Sequence, residues 1–332
     1  MCRFTGWAAT VAELRYNVLS RRWVTIAADR ASRPGDLNPR RLPVQADLGR
    51  PCPFCPGNEE ETPPALETYG PQGQWSVRVV PNLYPAFAGR GDLKVTGNGL
   101  FRHAPATGIH EVIILTPEHQ ASWADLSDTQ ASLLMAALRD RLEDHVNTPG
   151  LAYTQVIVNY GREAGASIEH PHGQLLGIPF VPGELLEEQA SFSEYGPDGL
   201  LSDVLTAEEA ARTRLVAADT RGVAICPYWS AAPYEMLIIP RRPAARLDQA
   251  APADLASVGR MLRDVLRRLR DVVGDVAYNL VFHSAPHRST TPFHWHVHVL
   301  PQTTTIAGFE QGTGVRINVV PPETAASQLA QG

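Results

Sequence analysis

Lysine is almost missing from this chain: Lys94 is the only one among 29 basic residues, the rest being arginine. The 35 acidic residues outnumber the basic ones, leaving a net charge of −6. That balance excludes a general nucleic-acid or membrane-surface binder, which needs a basic field. Any phosphate must be gripped by local groups instead. No apolar run approaches the roughly 18–20 residues of a membrane span. The segment Met1 to Val18 lacks the apolar core of a secretory signal, so a cytoplasmic protein is expected. Cysteine is scarce too, with only Cys2, Cys52, Cys55 and Cys226. Four are too few to staple a chain of this length, and Cys2 and Cys226 read as ordinary thiols. What is present is a 44% hydrophobic content over 332 residues. That suffices for a soluble protein with a real core, as two domains or one large duplicated one.

The chain says something twice. Glu111-Val112-Ile113-Ile114-Leu115 runs into Thr116-Pro117, and Glu235-Met236-Leu237-Ile238-Ile239 runs into Pro240. Each reads as a buried strand. Helices follow, at about 127–146 with Ser127 or Asp128 as cap, and at about 252–273 with Pro252 in its first turn. Leu255, Val258, Leu262, Val265, Leu266, Leu269 and Val272 share one face of the second helix. Strands from Tyr153 to Asn159 and from Tyr278 to His283 come next. Each half closes on a histidine strand, His170-Pro171-His172 and His294-Trp295-His296-Val297-His298. From Glu111 to His170 is 59 positions, and from Glu235 to His294 is also 59. The expected fold is α+β: two duplicated halves, residues 1–181 and 182–332, forming a mostly antiparallel sheet flanked by helices. The stretch 33–73 reads as an irregular arm, and 182–221 as a linker with an acidic helix near 184–194. The segment Gly308-Phe309-Glu310-Gln311-Gly312-Thr313-Gly314 reads as a loop.

Three constellations carry chemistry. His170 and His172 lie two apart, so an extended backbone puts both imidazoles on one face. Imidazole is a nucleophile and a metal ligand near neutral pH. If His170 is spent on metal or structure, His172 is the candidate nucleophile. Gln174, on the same face, and Ser167 are candidate donors to a phosphoryl oxygen. Cys52-Pro53-Phe54-Cys55 has metal-knuckle spacing and needs two further ligands, for which His119 and His170 are candidates. Reduced loop thiols or a redox dithiol are the other readings, the latter disfavoured by Pro56-Gly57 directly after Cys55. His294, His296 and His298 alternate, and with His283 they suggest a second metal cluster, with a polar strand face or a catalytic face as the alternatives. Arg30 and Arg33 are loop residues able to clamp phosphate. Asn82 ends an apolar run where it could meet a ribose or a base.

Together these residues resemble the galactose-1-phosphate uridylyltransferase family of the histidine-triad superfamily, over about 30–311. The resemblance rests on Ser167, His170-Pro171-His172-Gly173-Gln174, Cys52-x-x-Cys55 and His296-Val297-His298. It implies a fold of two histidine-triad-like halves and ping-pong chemistry. His172 attacks the α-phosphorus of a nucleoside diphosphate sugar, sugar 1-phosphate leaves, and a second sugar 1-phosphate takes the nucleotide. Gln174 and Ser167 would hold phosphoryl oxygens, and Asn82 and Asn159 would lie near the nucleotide. Arg30 and Arg33 would reach phosphate across a homodimer interface, and Phe309 and Glu310 would touch the sugar. Zinc would sit on Cys52, Cys55, His119 and His170. The resemblance adds Glu188 to His283, His296 and His298 as a second site, for iron or a second zinc.

Two departures point toward the branch that includes ADP-glucose phosphorylases. Leu83 stands where an acidic residue usually follows the asparagine, and Thr304 stands in place of a lysine before Gly308-Phe309-Glu310. The main expectation is UDP-glucose:galactose-1-phosphate uridylyltransferase. The alternatives are an ADP-sugar phosphorylase, a histidine-triad hydrolase using His296, and a non-catalytic metal or nucleotide binder. Gln174 argues against the hydrolase, which places a third histidine there to activate water.

Overall fold

The computed structural model describes residues 12–32, 41–44, 51–195 and 199–332. Its centre is a sheet of ten strands in which every neighbouring pair is antiparallel. From one edge the order is Leu215–Ala218, Gly222–Ile225, Met236–Pro240, His296–Pro301 and Tyr278–His283. Then come Tyr153–Tyr160, His172–Ile178, Ile109–Ile114, Val77–Pro81 and Glu67–Tyr69. Read outward from the middle, both sets of five have the same order. They join where Tyr278–His283 pairs with Tyr153–Tyr160, so the duplication becomes one continuous sheet.

The strands form because apolar residues alternate, and alternation gives the sheet two unlike faces. One face, with Val77, Val79, Ile113, Val156, Val158, Leu175, Leu280, Phe282, Val297 and Val299, is packed into the main core. The helices Asp128–Asn147 and Pro252–Val273 cover it. Ser127 caps the first, its side chain accepting from the Gln130 N–H at 3.1 Å. Pro252 opens the second, where its missing N–H costs nothing. The two helices cross closely at Gly259, where a Cβ would lie 2.6 Å from the Ala131 carbonyl oxygen. The other face is apolar toward its C-terminal edge, where Leu237 and Ile239 pack with Leu185, Phe192 and Leu201. Toward the middle it is polar, and the candidate residues gather there.

Several elements differ from the sequence expectation, among them the sheet strand Glu67–Tyr69 inside the stretch read as an irregular arm. The histidine strands begin at His172 and His296, so His170 and His294 precede them instead of alternating within them. The linker holds two helices, Gly183–Glu194 and Leu200–Ala211, and the edge strand Leu215–Ala218. The segment Gly308–Thr313, expected as a loop, is a short helix closed at Gly314 in the left-handed region, which glycine adopts without strain. The helix Pro322–Gln331 buries Ala325, Ala326 and Leu329 on the core, although its polar sequence gave little sign of it. Among the described residues no helix is long and apolar enough to cross a membrane.

Candidate active site

Register decides which side chains meet on the polar face. Gln174 pairs with Val112 on one side and Ile157 on the other, so His110, His172, Gln174 and Asn159 share this face. Asn279 faces Asn159 across the next pair, and its Nδ2 donates to Asn159 Oδ1 at 2.8 Å. Farther along, His283 pairs with His296.

His172 is buried beside the ring of Phe54, 5.2 Å between centroids. Its Nδ1 lies 2.8 Å from the His170 carbonyl oxygen, so Nδ1 carries the proton and Nε2 keeps its lone pair. Burial lowers the His172 pKa below the usual imidazole range, against the raising effect of that carbonyl. The ring is therefore neutral at neutral pH, with a lone pair chemically able to attack an electrophile. Gln174 Oε1 sits 2.8 Å from His110 Nε2, a partner the sequence reading missed. Phe54 was also missed. It lies between the two cysteines of the knuckle, and no local pattern says that the knuckle folds onto the histidine strand.

The first ligand group is Cys52, Cys55, His119 and His170, whose ligand atoms all lie within 4.8 Å of one another. Cys55 Sγ is 3.3 Å from His119 Nδ1 and 3.6 Å from His170 Nδ1. The other nitrogen of His170, Nε2, donates to the Thr116 carbonyl at 2.8 Å, which leaves Nδ1 as the ligand. Burial and then the neighbouring Cys52 push the Cys55 thiol up to about 11. Two adjacent sulfurs ionise together only around a cation. Two thiolates and two imidazoles form a closed tetrahedral donor set, so the residues fit a structural metal.

The second group is Glu188, His283, His296 and His298, again within 4.8 Å. Glu188 Oε1 accepts from His283 Nδ1 at 2.9 Å, while its Oε2 is buried without a hydrogen-bond partner. His296 Nδ1 donates to the His294 carbonyl at 2.9 Å, so its Nε2 lone pair faces His298 Nε2 at 3.1 Å. Burial lowers His296 to about 3 and His298 well below its ordinary value, so both rings are neutral. An orphaned carboxylate oxygen and converging lone pairs fit a cation. His294 stands apart from this group. Its Nε2 is buried without a partner, and burial lowers its pKa to about 4.

The remaining candidates fall elsewhere. Arg30 is exposed in the short helical turn Ala28–Ser32, and Arg33 lies outside the described residues. Ser167 is exposed. Asn82 closes the strand Val77–Pro81 and, with His110 and Phe87, lines a cavity of about 430 Å³. Glu310 lines a different cavity of about 390 Å³ with Glu188, His283 and His298, and Phe309 beside it is exposed. Within one chain the described contacts leave Glu310 apart from His172.

Comparison with known proteins agrees along the whole chain. The family model described as galactose-1-phosphate uridyl transferase, N-terminal domain, matches residues 5–182. Its C-terminal counterpart matches residues 186–313. An ADP-glucose phosphorylase of Arabidopsis thaliana is 28% identical over 96% of this chain and 92% of its own length. A galactose-1-phosphate uridylyltransferase of Thermotoga maritima is 26% identical over 96% of this chain and 98% of its own. The crystal structure of an ADP-glucose phosphorylase from Arabidopsis thaliana with bound ADP-glucose superposes with a TM-score of 0.81. It is 26% identical and covers 97% of this chain and 99% of that one.

Proposed function

Because the chain belongs to the galactose-1-phosphate uridyl transferase family, we propose that it moves uridine monophosphate from UDP-glucose to galactose 1-phosphate through a covalent nucleotidyl-histidine at His172. The observation that carries this reading is the state of His172: buried, neutral, its Nδ1–H held by the His170 carbonyl and its Nε2 free. The Nε2 lone pair forms a bond to the α-phosphorus, the P–O bond to the sugar phosphate breaks, and glucose 1-phosphate leaves with the electron pair. An oxygen of galactose 1-phosphate then attacks the same phosphorus, and the N–P bond returns its pair to Nε2. The His170 carbonyl steadies the positive charge that grows on the ring. Gln174 and Ser167 serve as donors to the phosphoryl oxygens, and Asn82 and Asn159 meet the nucleotide.

We assign zinc to Cys52, Cys55, His119 and His170, and iron or a second zinc to Glu188, His283, His296 and His298. Such ions would supply rigidity, crosslinking loops to the sheet. We further read the chain as a cytoplasmic homodimer divided at 181–182. Arg30, Arg33, Phe309 and Glu310 would then complete the site of a partner copy.

Leu83 after Asn82, and the match to an ADP-glucose phosphorylase, favour a second reading, in which the nucleotide is AMP and inorganic phosphate the acceptor. Intact-protein mass after brief mixing with UDP-glucose, UDP-galactose or ADP-glucose separates the two. A UMP adduct absent from His172→Ala is the expected result. An AMP adduct selects the second reading, and no adduct with any of them rejects both.

A further inference from the structure

His110 has no role in the reaction as described so far, yet its ring touches the residue that is to hold the phosphoryl group. Its tautomer follows from its neighbours. The Ala86 N–H donates to His110 Nδ1 at 3.0 Å, so Nδ1 is an acceptor and the proton sits on Nε2. That Nε2–H donates to Gln174 Oε1 at 2.8 Å. Asn82 Nδ2 is also 3.1 Å from this nitrogen, but Asn82 Oδ1 is already taken by the Tyr84 N–H at 2.8 Å. Asn82 therefore also presents a donor to this nitrogen, and it is the Ala86 N–H at Nδ1 that fixes the tautomer.

Register adds a direction. Ile114 lies opposite His172, Val112 opposite Gln174 and His110 opposite Leu176. His110 thus stands on the far side of Gln174 from His172. A carboxamide carries its oxygen and its nitrogen on opposite sides. With Oε1 drawn toward His110, the two Nε2 protons of Gln174 turn toward the nucleophile.

We propose that His110 is a positioning residue for nucleotidyl transfer: its Nε2–H locks the Gln174 carboxamide so that the amide protons, not the carbonyl oxygen, face the phosphoryl group at His172. This rests on the proposed nucleotidyl transfer. Without the lock the amide rotates by half a turn and sets a lone pair against an oxygen that is gaining charge. The lock therefore acts on the step in which charge builds, more than on ground-state binding.

The test follows formation of the covalent adduct by rapid quench and intact mass, with the metal content and melting temperature of each variant recorded. His110→Phe keeps a ring of similar size and removes the donor. It is expected to slow adduct formation about 10- to 100-fold, less than the roughly 100- to 1000-fold for outright loss of an oxyanion donor because the amide itself remains, with little change in the concentration of nucleotide sugar giving half-maximal rate. His110→Gln, which restores an N–H, is expected to recover most of the rate. In the Gln174→Ala background His110→Phe is expected to add nothing, because the two act as one unit. Additive losses, an unchanged rate, or a loss confined to half-saturation would overturn the proposal. Nitrogen NMR of the His110 imidazole stands independently of turnover. An Nε2–H tautomer whose signal moves in Gln174→Ala supports the pairing, and an Nδ1–H tautomer rejects it. If the wild-type protein forms no adduct, the functional reading fails, while the NMR result still decides the pairing.

Discussion

His170, His172 and Gln174 in one half, and His294, His296 and His298 in the other, sit 124 positions apart along and just before equivalent strands of one sheet. Their backbones do the same thing. His172 Nδ1 donates to the His170 carbonyl at 2.8 Å, and His296 Nδ1 donates to the His294 carbonyl at 2.9 Å. Their surroundings do not. In the first half Cys52, Cys55 and His119 reach the leading histidine, which leaves the middle one free. In the second half Glu188 and His283 reach the middle and last histidines, and the leading one is left buried with its Nε2 unpartnered. The backbone geometry prepares a lone pair on the middle histidine in both halves. What arrives from elsewhere in the chain decides whether it stands alone or joins a cluster of ligating side chains.

A second contrast is between the buried glutamates Glu111 and Glu235, 124 positions apart in the chain but on opposite faces of the sheet. Burial would raise both. For Glu111 the hydrogen bonds and charges of His145 and Arg141 overcome that and hold it below the usual carboxylate range. Arg141 donates to it through Nε at 3.0 Å and Nη2 at 2.6 Å. Glu235 lies on the other side of the sheet, away from the helix Pro252–Val273, and lines the cavity that holds Glu188, His283 and His298. Burial pushes Glu235 up to about 7, although it accepts from the backbone N–H groups of Ala231 and Ala232 and Arg316 lies near enough to lower it.

The largest effect should separate the two middle histidines. His172→Ala should lower turnover by about 10⁴-fold or more while both metal sites stay filled. His296→Ala should lose one metal per chain and still form the nucleotide adduct. Metal analysis beside intact mass reads both, and an adduct surviving in His172→Ala would erase the division of labour. Next comes Arg141→Met, which strands Glu111 as a buried charge and should cost about 3–5 kcal/mol in denaturant unfolding. The smallest effect tests Glu235. Its folded pKa lies above the ordinary 4.5, so the stability it contributes is present below about 4.5 and lost as pH rises through about 7. Glu235→Gln should match the wild type at pH 4.5 and exceed it at pH 8 by on the order of 3 kcal/mol. Equal melting curves at both pH values would show that the carboxylate is solvated.

Much of this was legible along the chain. Alternation and helical spacing are local signals, and they placed the helix Pro252–Val273 and the central strands to within a residue or two. The Cys52-x-x-Cys55 knuckle and the histidine spacings marked, in the same way, side chains that the fold brings together. The helix Gly308–Thr313 was hidden because Gly308 and Gly312 are weak helix formers, and the short capping contact from the Ala307 N–H to Glu310 leaves no periodicity. His110 was hidden because it differs from a surface histidine only through Gln174, 64 residues away.

The sequence by itself determined the duplication, the alternation that builds a two-faced sheet, and the residue types able to ligate or attack. These depend on neighbours a few positions apart, where backbone geometry sets which side chains align. Only the tertiary structure decided which histidine joined the cysteines and His119 and which stood apart from them. That choice depends on Cys55 lying against His170, 115 residues on, and on Glu188 reaching His283, 95 residues on. Sheet register and buried packing bring such pairs together, and no local spacing encodes them.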